Sequence, residues 1–204
     1  MWNINDSVEI KKSVLYWQKN PVDWLDWIGF TSHWSKQREI IESVRDSIRT
    51  ACRSGHTVGK TRIAAGTCLW FLFNFYPSVV ITTATTGRQV SYLLWGEIRN
   101  LFRNWRNKVK IEYGINEVGM GIRLFETDYL ELEKGLWYAI GFSTDQPESF
   151  TGFHEINILY VIDEGSGVKA SIFEGVESSL NSPNSRVLTI GNPTDPSSYF
   201  GKIF

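Results

Sequence analysis

The chain has 204 residues, 42% of them hydrophobic and 14% aromatic, which is enough apolar material for one packed domain. Its 21 Lys and Arg stand against 22 Asp and Glu for a formal charge of −1, so no global basic field announces a nucleic-acid partner and any DNA contact has to be a local patch. Cys52 and Cys68 lack metal or redox spacing and read as small buried residues. His33, His56 and His154 are too scattered for zinc, and the apolar run 68–76 is too short for a bilayer, so a soluble cytoplasmic protein is expected.

The first segment is rich in tryptophan, with Trp17, Trp24, Trp27 and Trp34 separated by polar residues. Such residues serve either as core and interface anchors or as platforms for a stacked base. Ile40, Ile41, Val44 and Ile48 then recur at near-helical spacing from a cap at Ser35. That helix is expected to stop before Arg49, because 48–52 also reads as a strand and the glycine-containing loop after it needs a strand in front. Next come a buried helix over 61–75, a buried strand over 79–83 and an amphipathic helix over 88–105. The last turns Val90, Leu94, Ile98, Leu101, Phe102 and Trp105 inward. From 111 to 142 short alternating runs punctuated by glycine predict strands and hairpins at one side of the sheet. A strand over 158–162, a helix over 170–180 and a strand over 187–190 restore the alternation. The pattern predicts an α/β domain with a mostly parallel, doubly wound sheet and helices on both faces. No repeat or linker divides residues 1–204, so a single domain is expected, with a Trp-rich segment over 1–34 and a core over 35–204.

The segment Arg53-Ser54-Gly55-His56-Thr57-Val58-Gly59-Lys60-Thr61 matches G-x-x-x-x-G-K-[ST] except for Ser54 at the first glycine. Small residues let successive backbone N–H groups converge on phosphate oxygens, and the next helix presents its positive end. Lys60 reaches the β and γ phosphates, and the Thr61 hydroxyl ligates magnesium. About a hundred residues on, the apolar strand 158–162 ends in Asp163 and Glu164. Paired with the loop, Asp163 is expected to hold the metal shell and Glu164 to polarise the attacking water. A further strand delivers Gly191-Asn192-Pro193-Thr194 to the same edge, where Asn192 is either a turn residue or a sensor of the γ phosphate.

The order of phosphate loop, Val80 to Thr85, Val161 to Glu164 and Gly191 to Thr194 resembles that of phage terminase large subunits, in their N-terminal ATPase domain. The resemblance implies a P-loop nucleoside triphosphatase of the additional-strand catalytic-glutamate type, related to the RecA and helicase folds. It implies hydrolysis of ATP with Mg2+ to drive double-stranded viral DNA into a procapsid, in the host cell cytoplasm. The implied partners are a portal protein and a small terminase subunit, and the implied active form is a homo-oligomeric ring of subunits that are monomers in isolation. It also implies a C-terminal nuclease domain, for which these residues show no second acidic cluster, so nuclease activity is not expected of them.

By the same resemblance Gln37 reads adenine, with Trp34 near the base. Residues 82–90 bring Arg88 and Gln89 toward the catalytic edge, and Asn192 and Thr194 belong to a motif that couples hydrolysis to motion. For Gln37 the alternative is a solvated helix residue, and Arg88 is expected to face solvent. The chain departs from the pattern in carrying His56 where many relatives have an arginine, leaving Arg53 as the nearby substitute for a catalytic charge. Residues 149–155 also lack the arginine the family places there. Finally Arg99, Arg103 and Arg106 fall on one helical face, either a solvated surface or a contact with DNA or a neighbouring subunit. A helicase-like DNA-dependent ATPase and a nucleotide-gated binding scaffold are the competing functions.

Overall fold

In the computed structural model the described residues are 8–31, 33–55, 57–113, 123–124, 128–143, 153 and 155–204. The strands are β1 (Arg49–Arg53), β2 (Ser78–Ala84), β3 (Arg123–Leu124), β4 (Tyr129–Glu133), β5 (Trp137–Ser143), β6 (Asn157–Ile162) and β7 (Asn184–Gly191). They form one seven-stranded sheet in the spatial order β1-β7-β6-β2-β5-β4-β3. From β1 to β5 every neighbouring pair is parallel, and β4 and β3 close one side as antiparallel strands. The parallel part is covered on both faces, which explains its near-continuous apolar runs: all of β2 is buried, as is β6 from Ile158 onward.

Side chains alternate between the faces as a pleated strand requires. Val80, Leu159, Val161, Leu188 and Ile190 join one core cluster, and Val79, Ile81, Ile158, Tyr160, Ile162 and Val187 join the other. The first face carries α1 (Val8–Lys19), α2 (Pro21–Trp27), α3 (Ser35–Asp46), α4 (Lys60–Asn74) and α5 (Trp95–Tyr113). The second carries α6 (Ala170–Ser179) and the short α7 (Tyr199–Lys202). In α4 every residue except Thr61 and Arg62 is buried, including Cys68, whose thiol is pushed well up by desolvation. The tryptophans of the first segment behave as anchors: Trp24 is 1% exposed, and Trp17 packs on Trp27 with ring centroids 4.6 Å apart. Trp34 is the exception, half exposed beside the phosphate loop. Among the described residues no helix is long and apolar enough to cross a membrane.

The structure corrects several expected boundaries. Ser35 is the first helical residue of α3 and Trp34 its cap, because the Gln37 side chain turns back to accept from the Trp34 N–H at 3.1 Å. The helix expected over 88–105 begins with a π-helical segment, Gln89–Leu94, and continues to Tyr113. The wider turn lets the consecutive Leu94 and Trp95 both reach the core, each 0% exposed, and Val109 extends the apolar stripe beyond Trp105. Residues 111–113 are therefore helical rather than the start of the alternating region.

Candidate functional site

The carboxyl ends of β1, β6 and β7 meet at one edge of the sheet. There the Ser54 N–H donates to the Gly191 carbonyl at 3.0 Å, extending the β1-β7 ladder by one step. The chain then turns through the loop into α4, with Thr57 at φ 61° and Gly59 at φ 79°. Gly59 is required at that position. A left-handed φ disfavours any Cβ, and one placed there would lie 2.5 Å from Gln37 Nε2. Within the loop His56 lies outside the described residues. Lys60 opens α4 and is buried, its Nζ donating to the carbonyls of Gly55 at 2.6 Å and Ser54 at 3.2 Å.

Thr61 and Asp163, 102 positions apart in sequence, meet where Thr61 Oγ1 donates to Asp163 Oδ2 at 3.0 Å. The Asp163 N–H donates to the Thr83 carbonyl at 2.8 Å, and its Oδ1 accepts from the Glu164 N–H at 2.8 Å, so backbone and side chain are both fixed. At 2% exposure its carboxyl is pushed up to about 6, chiefly by desolvation. The Thr61 hydroxyl, the Glu164 N–H and the Lys60 charge pull the other way, and the Glu164 charge adds to the rise. The Asp163 carboxylate and the Thr61 hydroxyl beside it supply two oxygen donors of the kind a small hard cation takes.

Glu164 takes a left-handed conformation, φ 50°, half-buried, and leads into a tight turn over Gly165–Gly167. Its carbonyl accepts from Thr85 Oγ1 at 3.2 Å, and the Ser166 hydroxyl donates to the Asn192 carbonyl. Asn192 is half-buried; Thr194 is exposed, its N–H donating to the Asn192 carbonyl at 2.8 Å.

Gln37 is buried rather than solvated. Its Nε2 donates to the Gly59 carbonyl at 3.0 Å while its Oε1 holds the Trp34 N–H, so the amide ties the start of α3 to the phosphate loop. Trp34 Nε1 donates to the Val58 carbonyl at 3.3 Å, which sets an exposed indole against the loop. The Arg53 guanidinium lies over the Phe204 ring, 5.0 Å from its centroid. Arg88 is exposed, and Gln89 Oε1 caps Thr86 through its N–H and hydroxyl, each at 3.0 Å.

The three arginines of α5 do not form one open surface. Arg99 is held inward, Nη2 donating to the Ser91 carbonyl at 2.6 Å and Nη1 lying 3.6 Å from Asp128. Arg103 is exposed against Asn100, and Arg106 is half-buried. Arg99 follows the π-helical turn toward the antiparallel strands, a displacement that helical spacing cannot foresee. Sequence reasoning placed Thr85 in a motif without foreseeing its bond to the Glu164 carbonyl, and it missed Phe200. Phe200 is an ordinary aromatic in the sequence until the fold places it under the site.

A phosphate loop on β1, an acidic pair closing β6 and the additional strand β7 between them define a P-loop nucleoside triphosphatase fold of the catalytic-glutamate type. No family profile matches the chain. Over 187 residues, 86% of its length, it is 33% identical to the protein described as "Probable terminase, large subunit" of Enterobacteria phage P7. The chain spans 36% of that relative's length.

Among solved structures, the large terminase ATPase domain of Thermus phage P74-26 superposes with a TM-score of 0.66 at 18% identity, over 89% of this chain and 72% of that one. The large terminase of the thermophilic bacteriophage D6E in complex with ADP gives 0.57 at 16% identity, over 83% of this chain and 41% of that one. By sequence and by fold together, this chain is a relative of the phage terminase large subunits, with the fold of their ATPase domain.

Proposed function

We propose that the chain binds ATP with magnesium at the carboxyl edge of its sheet and hydrolyses it to move double-stranded DNA into a viral procapsid. The observation that carries this reading is the 3.0 Å contact of Thr61 with Asp163 beside Glu164, which joins the phosphate loop to the acidic strand. Magnesium held by the Thr61 hydroxyl and the Asp163 carboxylate would neutralise charge on the β and γ phosphates. The loop amides from Gly55 to Thr61 cradle the phosphates, and Lys60 exchanges its contacts with the Ser54 and Gly55 carbonyls for phosphate oxygens. Glu164 orients a water and takes its proton as the water oxygen attacks the γ phosphorus, while the bond to the β-phosphate bridging oxygen breaks and ADP leaves.

For the base, the exposed Trp34 offers a stacking face, and Gln37 keeps one amide N–H and one carbonyl lone pair beyond its two backbone bonds with which to read adenine. Asn192 and Thr194, joined to the catalytic turn through Ser166, carry the change of state outward. The curated relative is described as a terminase and a solved large terminase holds ADP, which supports ATP as nucleotide and a packaging complex as setting. The partners proposed with it are duplex DNA, a portal protein, a small terminase subunit and further copies of the chain, in the host cytoplasm.

Steady-state ATP hydrolysis with and without magnesium and duplex DNA is the test. Turnover is expected only with magnesium and to rise with DNA, and Lys60→Ala is expected to abolish it. Undiminished hydrolysis in that variant would remove the site assignment. Tight nucleotide binding without turnover would leave a nucleotide-gated scaffold instead.

A further inference from the structure

We infer that Phe200, on α7, is a positioning residue for the turn after Glu164, and that α7 ties that turn, the end of β7 and the mouth of the phosphate loop into one unit. The inference rests on the proposed role of Glu164 as general base and deepens it.

Phe200 is 0% exposed, and its ring lies against the backbone just after Glu164 and the backbone just before Asn192. A Cβ at Gly165 would sit 2.9 Å from Phe200 Cδ2 and 2.8 Å from Thr189 Cγ2. One at Gly191 would sit 3.1 Å from Phe200 Cε1 and 2.9 Å from the Gly165 nitrogen. The two glycines therefore touch each other and share one aromatic support, and the Ser166 hydroxyl bonded to the Asn192 carbonyl fastens them on the other side. Glu164 itself is held in a sparsely populated backbone conformation, which persists only when its surroundings over-determine it. The Thr85 hydroxyl on its carbonyl supplies one restraint and the Phe200 ring beneath Gly165 supplies another.

From Phe200 the contacts continue outward. Its ring meets Phe204 edge-on with centroids 5.2 Å apart, and Phe204 carries the Arg53 guanidinium at 5.0 Å. Arg53 is the last residue of β1, one step before the loop. A shift of α7 is thus felt at Glu164, at the end of β7 and at the entry to the phosphate loop together. In this arrangement Arg53 anchors α7 rather than supplying charge to the γ phosphate.

The test compares Phe200→Leu with Phe102→Leu, a substitution of equal size in the other core cluster, with Phe204→Ala as a milder probe at a half-exposed ring. Because small misplacements of a reacting group cost up to about a hundredfold, Phe200→Leu is expected to lower kcat by about tenfold or more with KM for ATP within about twofold. Phe102→Leu, with a comparable loss of Tm, is expected to keep kcat within about twofold of the parent, as a loss of packing alone would do. Phe204→Ala is expected to lower kcat in the same direction by a smaller factor.

Hydrogen exchange supplies a readout independent of turnover. Amides 164–167 and 191–192 are expected to exchange faster in Phe200→Leu and those of α5 to be unchanged. Equal kcat losses in Phe200→Leu and Phe102→Leu, or unaltered exchange at 164–167, would overturn the inference. A parent protein with no magnesium-dependent turnover would remove the proposed reaction, while the exchange data would still decide whether Phe200 positions the turn.

Discussion

Burying Asp163 is costly, and the cost has a sign that can be measured. Its folded carboxyl titrates near 6, above the ordinary carboxylate value, so between those two pH values the folded state binds the proton more tightly than the unfolded chain. Stability of the nucleotide-free protein is therefore expected to fall as pH rises through this window, with the full penalty present above about 6. Asp163→Asn cannot ionise, so it is expected to raise Tm above that pH, to flatten the pH dependence, and to weaken magnesium-dependent nucleotide binding. Thermal melts from pH 4 to 8 by calorimetry check this (about pH 4 being near the unfolded carboxyl value), and a variant less stable than the parent at high pH would contradict it. Glu164→Gln separates from it kinetically: ATP affinity is expected to stay close to the parent value while turnover drops by roughly 10²- to 10⁴-fold, the range for loss of a general base. Equal losses of affinity in both variants would show that the carboxylates do not divide the work. That the two segments meet was legible in the sequence because each is a contiguous motif, 53–61 and 158–164, and the roles given to their residues are proposals built on that meeting. The bond of Gln37 to Gly59 and the place of Phe200 beneath Gly165 were not, since only the folded chain brings those residues together.

At the level of elements, the alternation of helix and strand was readable because strands buried on both faces are continuous apolar runs and amphipathic helices keep their period. The π-helical segment was not, since one wider turn changes which residues face inward without leaving a mark in composition. Its result is Trp95, fully buried at the centre of the sheet, with Nε1 donating to Thr82 Oγ1 at 2.9 Å. Gly141 on β5 admits it, for a Cβ there would lie 2.5 Å from the indole nitrogen. Trp95→Phe removes both a buried donor and part of a large ring, and a destabilisation of about 2 to 4 kcal/mol is expected. Urea denaturation measures it, and a change below about 0.5 kcal/mol, the range of ordinary surface substitutions, would show that the π-turn is not held by this residue. Gly141→Ala is expected to be destabilising in the same assay for the converse reason, since the indole and Val90 would have to move.

For the whole molecule the question is where a second positive charge at the γ phosphate, beyond that of Lys60, comes from. The loop carries His56 where many terminases carry arginine, and Arg53, the nearest guanidinium by sequence, is engaged by Phe204. Arg99 is held by Ser91 and Asp128. An arginine added to the loop lysine at the transferring phosphoryl typically raises rates by about 10³- to 10⁵-fold, so a subunit lacking that arginine is expected to turn over slowly by itself. If copies assemble so that one chain's surface closes over the next chain's nucleotide, a neighbour supplies the charge and turnover per subunit rises with protein concentration. Arg103, exposed on α5 and bonded to Asn100 one turn away, is the α5 arginine best placed to reach a neighbour. The expectation is therefore a specific activity that climbs across a dilution series. In mixtures, Lys60→Ala subunits with Arg103 intact are expected to restore turnover to Arg103→Ala subunits whose own loop is intact. Specific activity that stays flat and high on dilution, with no restoration in mixtures, would show that the single chain already carries its full catalytic set, and would return the search for the missing charge to Arg53 and His56.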